Sequence, residues 1–111
     1  MSGITTHVLD TSRGTPAAGM PVLLERAEDS GWQPVGRCTT DSDGRAHDLL
    51  SSPPDDGRYR LTFDTGAYFS VVGERGFYPE VSVTFVVTPG DDHYHVPLLL
   101  SPFGYTTYRG S

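Results

Sequence analysis

The segment most informative about the fold reads Arg58-Tyr59-Arg60-Leu61-Thr62-Phe63-Asp64. Its apolar residues Tyr59, Leu61 and Phe63 alternate with polar ones, so they share one face of an extended chain. This period of two residues is typical of a β-strand with one buried face. Residues 80–88 repeat the pattern, with these apolar side chains on one face: Val81, Val83, Phe85 and Val87.

Other short segments outside these two also favour strands. They are rich in β-forming residues and bounded by Gly, Pro or Asp, and they span residues 20–26, 33–40 and 94–100. One segment differs: residues 65–73 predict a short helix, with Thr65 as its N-cap and Gly73 ending it.

A turn and the number of strands complete the predicted fold. The segment Thr39-Thr40-Asp41-Ser42-Asp43-Gly44-Arg45 contains an Asp-Gly pair, which predicts a hairpin turn. About eight short strands at this spacing, with one short helix, predict an all-β protein with an antiparallel β-sandwich.

Length and cysteine content narrow the class of protein. With 111 residues, the chain predicts a single domain over residues 1–111. The single cysteine, Cys38, excludes an intramolecular disulfide framework. The N-terminus lacks the features of a secretory signal, and the apolar run Leu98-Leu99-Leu100 is far short of the ~20 residues that span a bilayer. We therefore expect a cytoplasmic protein with no membrane partner.

The net charge of −6 argues against nucleic acid as a partner. All eight basic residues are arginine, there is no lysine or asparagine, and Ile4 is the single isoleucine. Residues with AT-rich codons are therefore scarce, which predicts a bacterial source with a GC-rich genome.

Four histidines could transfer protons near neutral pH. His7 lies in a predicted strand, His93 and His95 share a strand face, and His47 follows the Asp-Gly turn. A single histidine of this kind is more often structural or exposed than catalytic.

Metal sites are the alternative use of these residues. His93 and His95 could supply two zinc ligands, with His7 or His47 as a third, but so short a pattern is common by chance. The segment 41–44 is similar to the start of a calcium loop, yet it lacks the later acidic ligands and favours a solvated turn. We predict no metal and no cofactor.

The C-terminus reads Ser101-Pro102-Phe103-Gly104-Tyr105-Thr106-Thr107-Tyr108-Arg109-Gly110-Ser111. It is aromatic and β-prone almost to its end, whereas most domain termini are polar and frayed. Two interpretations remain open. The tail is an edge strand, or it is buried at a subunit contact and brings Tyr108, Arg109 and Ser111 to a pocket.

Three passages and the tail together resemble a known family. The passages are Thr5-Thr6-His7-Val8-Leu9-Asp10, Thr40-Asp41-Ser42-Asp43-Gly44-Arg45 and His93-Tyr94-His95-Val96-Pro97-Leu98-Leu99-Leu100-Ser101-Pro102. With the terminal Tyr108-Arg109-Gly110-Ser111, they resemble the 5-hydroxyisourate hydrolases, the transthyretin-like enzymes of purine catabolism, over essentially the whole chain. The tail is similar to the signature that distinguishes these hydrolases from transthyretin, the hormone carrier on the same fold.

The resemblance implies a transthyretin-like sandwich that forms a homotetramer, with sites at the interface between dimers. It assigns to catalysis His7, Arg45, His95 and Ser111. It assigns to substrate binding His7, Arg45, Tyr108, Arg109, Gly110 and Ser111. Arg37 is the competitor for the position of Arg45.

The implied reaction opens the six-membered ring of 5-hydroxyisourate at an acyl C–N bond and yields 2-oxo-4-hydroxy-4-carboxy-5-ureidoimidazoline. Water must lose a proton and the leaving nitrogen must gain one, so we hypothesise that His7 and His95 exchange these protons. Which of the two is base and which is acid stays open.

The other site residues would bind the substrate. Arg45 would pair with carbonyl oxygens, because its planar fork suits such acceptors. Tyr108 would position the ring, and Ser111 would hydrogen-bond the water or substrate. For Arg109 the alternative to substrate binding is an ion pair that fixes the tail. We expect His93 and His47 to be structural or exposed.

Three alternatives compete with this hypothesis. The first is a transthyretin-type carrier that binds a small ligand without turnover, although a carrier pocket needs few convergent ionisable groups. The others are a sandwich domain that recognises another protein and a zinc-dependent cyclic-amide hydrolase. Fold alone does not separate them.

Overall fold

Two β-sheets and one helix make up the computed structural model, which describes residues 3–91 and 93–111. The elements are β1 Gly3–Asp10, β2 Thr15–Pro16, β3 Pro21–Glu28, β4 Gly31–Thr39, β5 Arg45–Ala46, β6 Gly57–Phe63, α1 Thr65–Val72, β7 Val81–Val87, β8 His93–Ser101 and β9 Gly104–Thr107. The first sheet, sheet A, has the order β2-β1-β8-β9, and β5 also pairs with β1. The second, sheet B, has the order β4-β3-β6-β7.

The core lies between the sheets and follows the predicted alternation. Tyr59, Leu61 and Phe63 of β6 are all buried. On β7, Val81 and Val87 are buried, and Val83 and Phe85 on the same face pack against the same core. The sandwich, the alternating faces and the short helix are therefore confirmed.

One strand pair differs from the predicted antiparallel arrangement. β1 and β8 are parallel, with Thr5 opposite His95 and His7 opposite Pro97. Alternation shows which face of a strand is buried but not the direction of its neighbour. This pairing joins the two ends of the chain and places the first histidine beside the strand that carries the last two.

The predicted hairpin turn forms, but its flanking strands do not pair. The N–H of Gly44 donates to the carbonyl of Asp41 at 2.9 Å, and the N–H of Asp41 donates to the carbonyl of Arg45 at 2.9 Å. However, β4 belongs to sheet B and β5 to sheet A, so the prediction of a hairpin was wrong. The turn instead carries the chain from sheet B to sheet A, where Gly44 packs against β1. A Cβ there would lie 2.4 Å from the carbonyl oxygen of Val8.

The N-cap of the helix lies one residue before the predicted one. Asp64, not Thr65, is the N-cap, and its carboxylate accepts from the N–H of Ala67 at 3.0 Å. The hydroxyl of Thr65 is already used, since it donates to the carbonyl of Tyr78 at 2.8 Å. Gly73 ends the helix with φ of 78°, as predicted. In the part of the chain that the structure describes, no helix is long and apolar enough to cross a membrane.

A buried carboxylate ties the helix to β1. Asp10 is 1% exposed, and the hydroxyl of Tyr68 donates to it at 2.6 Å. Burial disfavours the charged form, but hydrogen bonds from Tyr68, Ser12 and the Arg13 N–H outweigh it and lower the pKa of Asp10. Burial and the same carboxylate raise the pKa of Tyr68 to about 12.

Tyr68→Phe is expected to lower the free energy of unfolding by about 1.5–3 kcal/mol, because it removes a hydrogen bond to a buried charge. The native pKa of Asp10 lies below its ordinary value of 3.8, so its contribution to stability is present above that pH and is lost below it. The free energy of unfolding of the variant should therefore also change less than that of the wild type as the pH falls below 3.8. Urea unfolding at several pH values measures both effects. Tyr59→Phe is the control, since its buried hydroxyl donates to a main-chain carbonyl, that of Asp55, and not to a carboxylate. An equal loss in the two variants would contradict the role of the charge.

Candidate active site

The face of sheet A that points away from the core carries the predicted site residues. On β1, the residues on either side of Thr5 point into the core, which leaves Thr5 and His7 on the outer face. His93 and His95 occupy the same face of β8. β5 adds Arg45, which pairs in register with His7.

These strands line a cavity of about 240 Å³. Its lining residues are Thr5, Thr6, Arg45, His47, His93, His95 and Ser111. The cavity brings together Arg45, His95 and Ser111, which come from three separate parts of the chain. His7 is not among its lining residues, but it lies beside Arg45 on the same strand pair.

Arg37, the competitor for the position of Arg45, lies elsewhere. It lines a larger hollow of about 540 Å³ on sheet B, together with Cys38 and Thr62. No histidine lines that hollow. Size alone would favour it, but the ionisable groups suited to proton transfer converge on the smaller cavity. We therefore take the cavity of sheet A as the candidate active site.

The chemistry of His95 is set by its surroundings. Burial lowers its pKa below the ordinary value of 6.5, and the charge of Arg45, followed by the neighbouring His7 and His93, lowers it further. His95 is therefore uncharged at neutral pH, the state in which an imidazole can exchange protons. Its Nδ1 lies 2.8 Å from the hydroxyl oxygen of Thr5.

His7 is oriented by the turn before β5. Its Nε2 lies 2.8 Å from the carbonyl oxygen of Asp43. Because a carbonyl only accepts hydrogen bonds, Nε2 must carry the hydrogen. In neutral His7, Nδ1 is then the ring nitrogen with a free lone pair.

The same turn positions Arg45. The carboxylate of Asp41 accepts from the N–H of Arg45 at 3.0 Å and from the N–H of Asp43 at 2.9 Å. These main-chain hydrogen bonds, the one from Arg45 foremost, lower the pKa of Asp41 despite the opposing effect of desolvation, and nearby His47 lowers it too. One aspartate thus holds the segment that supplies both Arg45 and the carbonyl bound by His7.

The C-terminal tail reaches the cavity by running along β8. β9 pairs antiparallel with β8, and beyond it the N–H of Gly110 donates to the carbonyl of His95 at 2.8 Å. Gly110 lies against the imidazole, since a Cβ there would be 2.6 Å from Cδ2 of His95. Ser111 follows and lines the cavity.

The other two tail residues point elsewhere within the protomer. Tyr108 and Arg109 line a separate cavity of about 150 Å³ at the edge of the sandwich. The guanidinium carbon of Arg109 lies 4.7 Å from the ring centroid of Tyr94, and its Nη2 lies 3.9 Å from the carboxylate of Asp91. In one protomer these side chains therefore anchor the tail and do not join His95.

Sequence reasoning missed several residues of the cavity. His93 and His47 line it and were not assigned to the site, although His47 is exposed, as expected. Nδ1 of His93 is buried and has no hydrogen-bond partner within the described ranges. Thr5 and Thr6 were also missed, and only the strand register shows that Thr5 meets His95. Among residues 3–91 and 93–111, no three His, Cys, Asp or Glu side chains are grouped to hold a metal ion.

Known proteins resemble this chain over almost its whole length. The model of the HIUase/Transthyretin family matches residues 4–110. A 5-hydroxyisourate hydrolase of Mus musculus is 47% identical over 113 residues, which cover 99% of this chain and 96% of the mouse protein.

Solved structures show the same likeness in three dimensions. The 5-hydroxyisourate hydrolase of Klebsiella pneumoniae is 37% identical with a TM-score of 0.87, covering 97% of this chain and 98% of the other. Sea bream transthyretin in complex with thyroxine is 35% identical with a TM-score of 0.88, covering 96% of this chain and 93% of the other. The overall fold is therefore common to hydrolases and to a thyroxine-binding protein.

Proposed function

Because this chain belongs to the HIUase/transthyretin family, we infer that it is a 5-hydroxyisourate hydrolase of urate degradation. The observation that carries this inference is the cavity that unites Arg45, His95 and the terminal Ser111 on one face of sheet A. Uncharged His95 and a neighbouring arginine suit the opening of a cyclic amide better than the passive binding of an apolar ligand.

His7 and His95 together serve the attacking water and the leaving nitrogen, and at least one of them exchanges protons with both. Water adds to the carbonyl carbon as it loses a proton, and the acyl C–N bond then breaks as the nitrogen gains one. Arg45 pairs with the carbonyl oxygen and stabilises the negative charge that develops on it. Ser111 hydrogen-bonds the water or the substrate from the end of the tail.

The remaining tail residues support this site. Gly110 lets the tail approach the imidazole of His95, and stacking on Tyr94 lets Arg109 fix the path of the tail. Tyr108 and Arg109 point to the edge of the sandwich, so they contact substrate only where a second subunit brings a site to that edge.

The assembly is a homotetramer with sites at the interface between dimers. Within the described residues, the edge strands β7 and β9 each pair on one side only. Exposed apolar side chains lie on or next to these edges, at Val86, Phe103, Tyr105 and Tyr108. A second copy that covers them would satisfy both the free strand edges and the apolar surface. Sedimentation equilibrium should give four times the chain mass of 12.1 kDa, and a monomer would contradict this assembly.

We place this enzyme in the cytoplasm of a bacterium with a GC-rich genome. The support is the composition, with arginine as its only basic residue other than histidine. Bacterial relatives include the Caulobacter vibrioides 5-hydroxyisourate hydrolase, 44% identical over 115 residues.

A coupled ultraviolet assay tests the function. Urate oxidase generates 5-hydroxyisourate from urate, and this protein is then added. Accelerated decay of the intermediate, unchanged by a chelator, is the expected result. Decay at the spontaneous rate, together with binding of thyroxine, would instead favour a carrier like the sea bream protein. Activity that a chelator abolishes and zinc restores would favour the zinc hydrolase.

Gly110→Ala is expected to lower kcat/KM by roughly 10- to 100-fold, because displacement of a catalytic group by about 1 Å can cost that much. The added methyl group would overlap the ring of His95, which is held on its other side by the hydroxyl of Thr5. Gly104→Ala is the matched control in the same tail, where a Cβ would meet only the hydroxyl of Ser101 at an ordinary 3.7 Å. Equal activity of the two variants would show that the ring is not confined by the tail.

A further inference from the structure

The hydroxyl of Thr5 contacts the inner nitrogen of the His95 ring. Its oxygen lies 2.8 Å from Nδ1, and the two residues are direct partners in the parallel pair β1–β8. Thr5 is 9% exposed and meets solvent only where it lines the cavity. The hydroxyl of Thr5 and Nδ1 of His95 are therefore hydrogen-bond partners of each other.

The direction of this hydrogen bond follows from the other partners of Thr5. A hydroxyl can donate or accept, and neutral histidine has one N–H and one lone pair. Within the described part of the chain, the hydroxyl of Thr5 has no second acceptor, so its hydrogen would be unsatisfied if Nδ1 were the donor. A buried donor without an acceptor is rare in folded proteins, because it costs the free energy of removing that group from water. Thr5 therefore donates to Nδ1.

This direction determines where neutral His95 carries its hydrogen. With Nδ1 occupied as an acceptor, the ring hydrogen is on Nε2. Gly110 covers the Cδ2 edge of the ring and Thr5 the Nδ1 edge, which leaves Nε2 as the nitrogen that faces the cavity.

We propose that Thr5 is a positioning residue that holds His95 in the Nε2–H tautomer, so that His95 offers the substrate a hydrogen-bond donor. The proposal rests on the proposed hydrolase function and deepens it. A neutral imidazole that donates from Nε2 polarises the carbonyl oxygen beside Arg45.

The two histidines then have opposite roles. The carbonyl of Asp43 holds the hydrogen of His7 on Nε2 and leaves Nδ1 as the acceptor. His7 takes the proton from water as the C–O bond forms, and returns it to the nitrogen as the C–N bond breaks. His95 keeps its proton throughout and stabilises the oxygen, so the protons balance with one base.

Three variants separate the hydroxyl of Thr5 from its shape. Thr5→Val removes the hydroxyl and keeps the branched side chain, whereas Thr5→Ser keeps the hydroxyl. Thr11→Val is the matched control, because the hydroxyl of Thr11 also bonds across to β8, at the carbonyl of Leu100 and not at a histidine. Thermal unfolding of each variant establishes that it is folded.

Nitrogen-15 NMR of the imidazole reports the tautomer directly, with or without catalysis. The wild type, Thr5→Ser and Thr11→Val should show the Nε2–H pattern for His95, and Thr5→Val a mixture of tautomers. A wild type with Nδ1–H, or a Thr5→Val variant with the wild-type pattern, would overturn the proposal.

Kinetics supply the second readout. We expect Thr5→Val to lower kcat roughly 3- to 10-fold with little change in KM, as for the loss of one hydrogen bond. Thr5→Ser should restore most of the rate. Equal losses in the Ser and Val variants would show that shape, not the hydroxyl, matters. A wild type that does not hydrolyse 5-hydroxyisourate would refute the function alone, since the NMR result stands independently of it.

Discussion

Replacing His95 by asparagine is expected to lower kcat by about 10²–10⁴-fold, the usual value of positioned proton transfer and hydrogen bonding at a reacting centre. The same loss is expected for His7→Asn. Both residues lie on the outer face of sheet A, beside Arg45, and neither belongs to the buried core. The coupled ultraviolet assay measures the rate, and sedimentation shows whether the assembly is intact.

Two further variants make the experiment sharper. His95→Gln can place an amide N–H near the position of Nε2, whereas asparagine is too short to do so. If His95 acts as a hydrogen-bond donor, the Gln variant should keep more activity than the Asn variant. The double variant His7→Asn/His95→Asn should lose little more than either single one, because groups that act as a unit are not additive. Full activity in both single variants would refute the two-histidine site.

Arg45→Gln is expected to lower kcat/KM by about 10²–10³-fold, as does the loss of a donor to a developing oxyanion. It should also change the pH at which His95 becomes protonated. Arg45 is one of the positive charges that lower the pKa of His95, so its removal raises that pKa towards 6.5. In the wild type, His95 therefore stays uncharged down to a pH below 6.5. An NMR titration of the His95 imidazole should therefore give a higher pKa in Arg45→Gln than in the wild type.

A charge-preserving variant separates the two effects. Arg45→Lys keeps the positive charge and should leave the pKa of His95 in place, yet it loses the planar fork and should remain slow. Arg37→Gln is the control, since Arg37 lies on sheet B, away from the histidines. An unchanged rate in Arg45→Gln, or a greater loss in Arg37→Gln, would assign the functional arginine to the other sheet.

The local pattern of side chains was sufficient for the architecture. Alternation in residues 58–64 and 80–88 depends only on neighbours two positions apart, and both segments form the strands it predicts. The Asp-Gly turn and the glycine that ends the helix are also local, and both form. The N-cap was misplaced because the hydroxyl of Thr65 is used by Tyr78, a residue outside the helix.

The candidate residues of the site were also within reach of the sequence, through the resemblance carried by the segments around His7, Arg45 and His95 and by the tail. Their arrangement was not. The parallel pairing of β1 with β8 puts Thr5 against His95, residues 90 positions apart. The same pairing gives His93 a place in the cavity, the pairing of β5 with β1 gives His47 one, and the path of the tail brings Arg109 to Tyr94.

The physical reason for this division is the range of the interactions involved. Strand alternation, turns and the glycine that ends the helix are decided by groups within a few residues of one another, so they can be recognised in the sequence. The tautomer of His95, its lowered pKa and the confinement of its ring depend on a threonine, an arginine and a glycine from other segments. Such contacts exist only once the sheets have packed, and for that reason only the tertiary structure shows them.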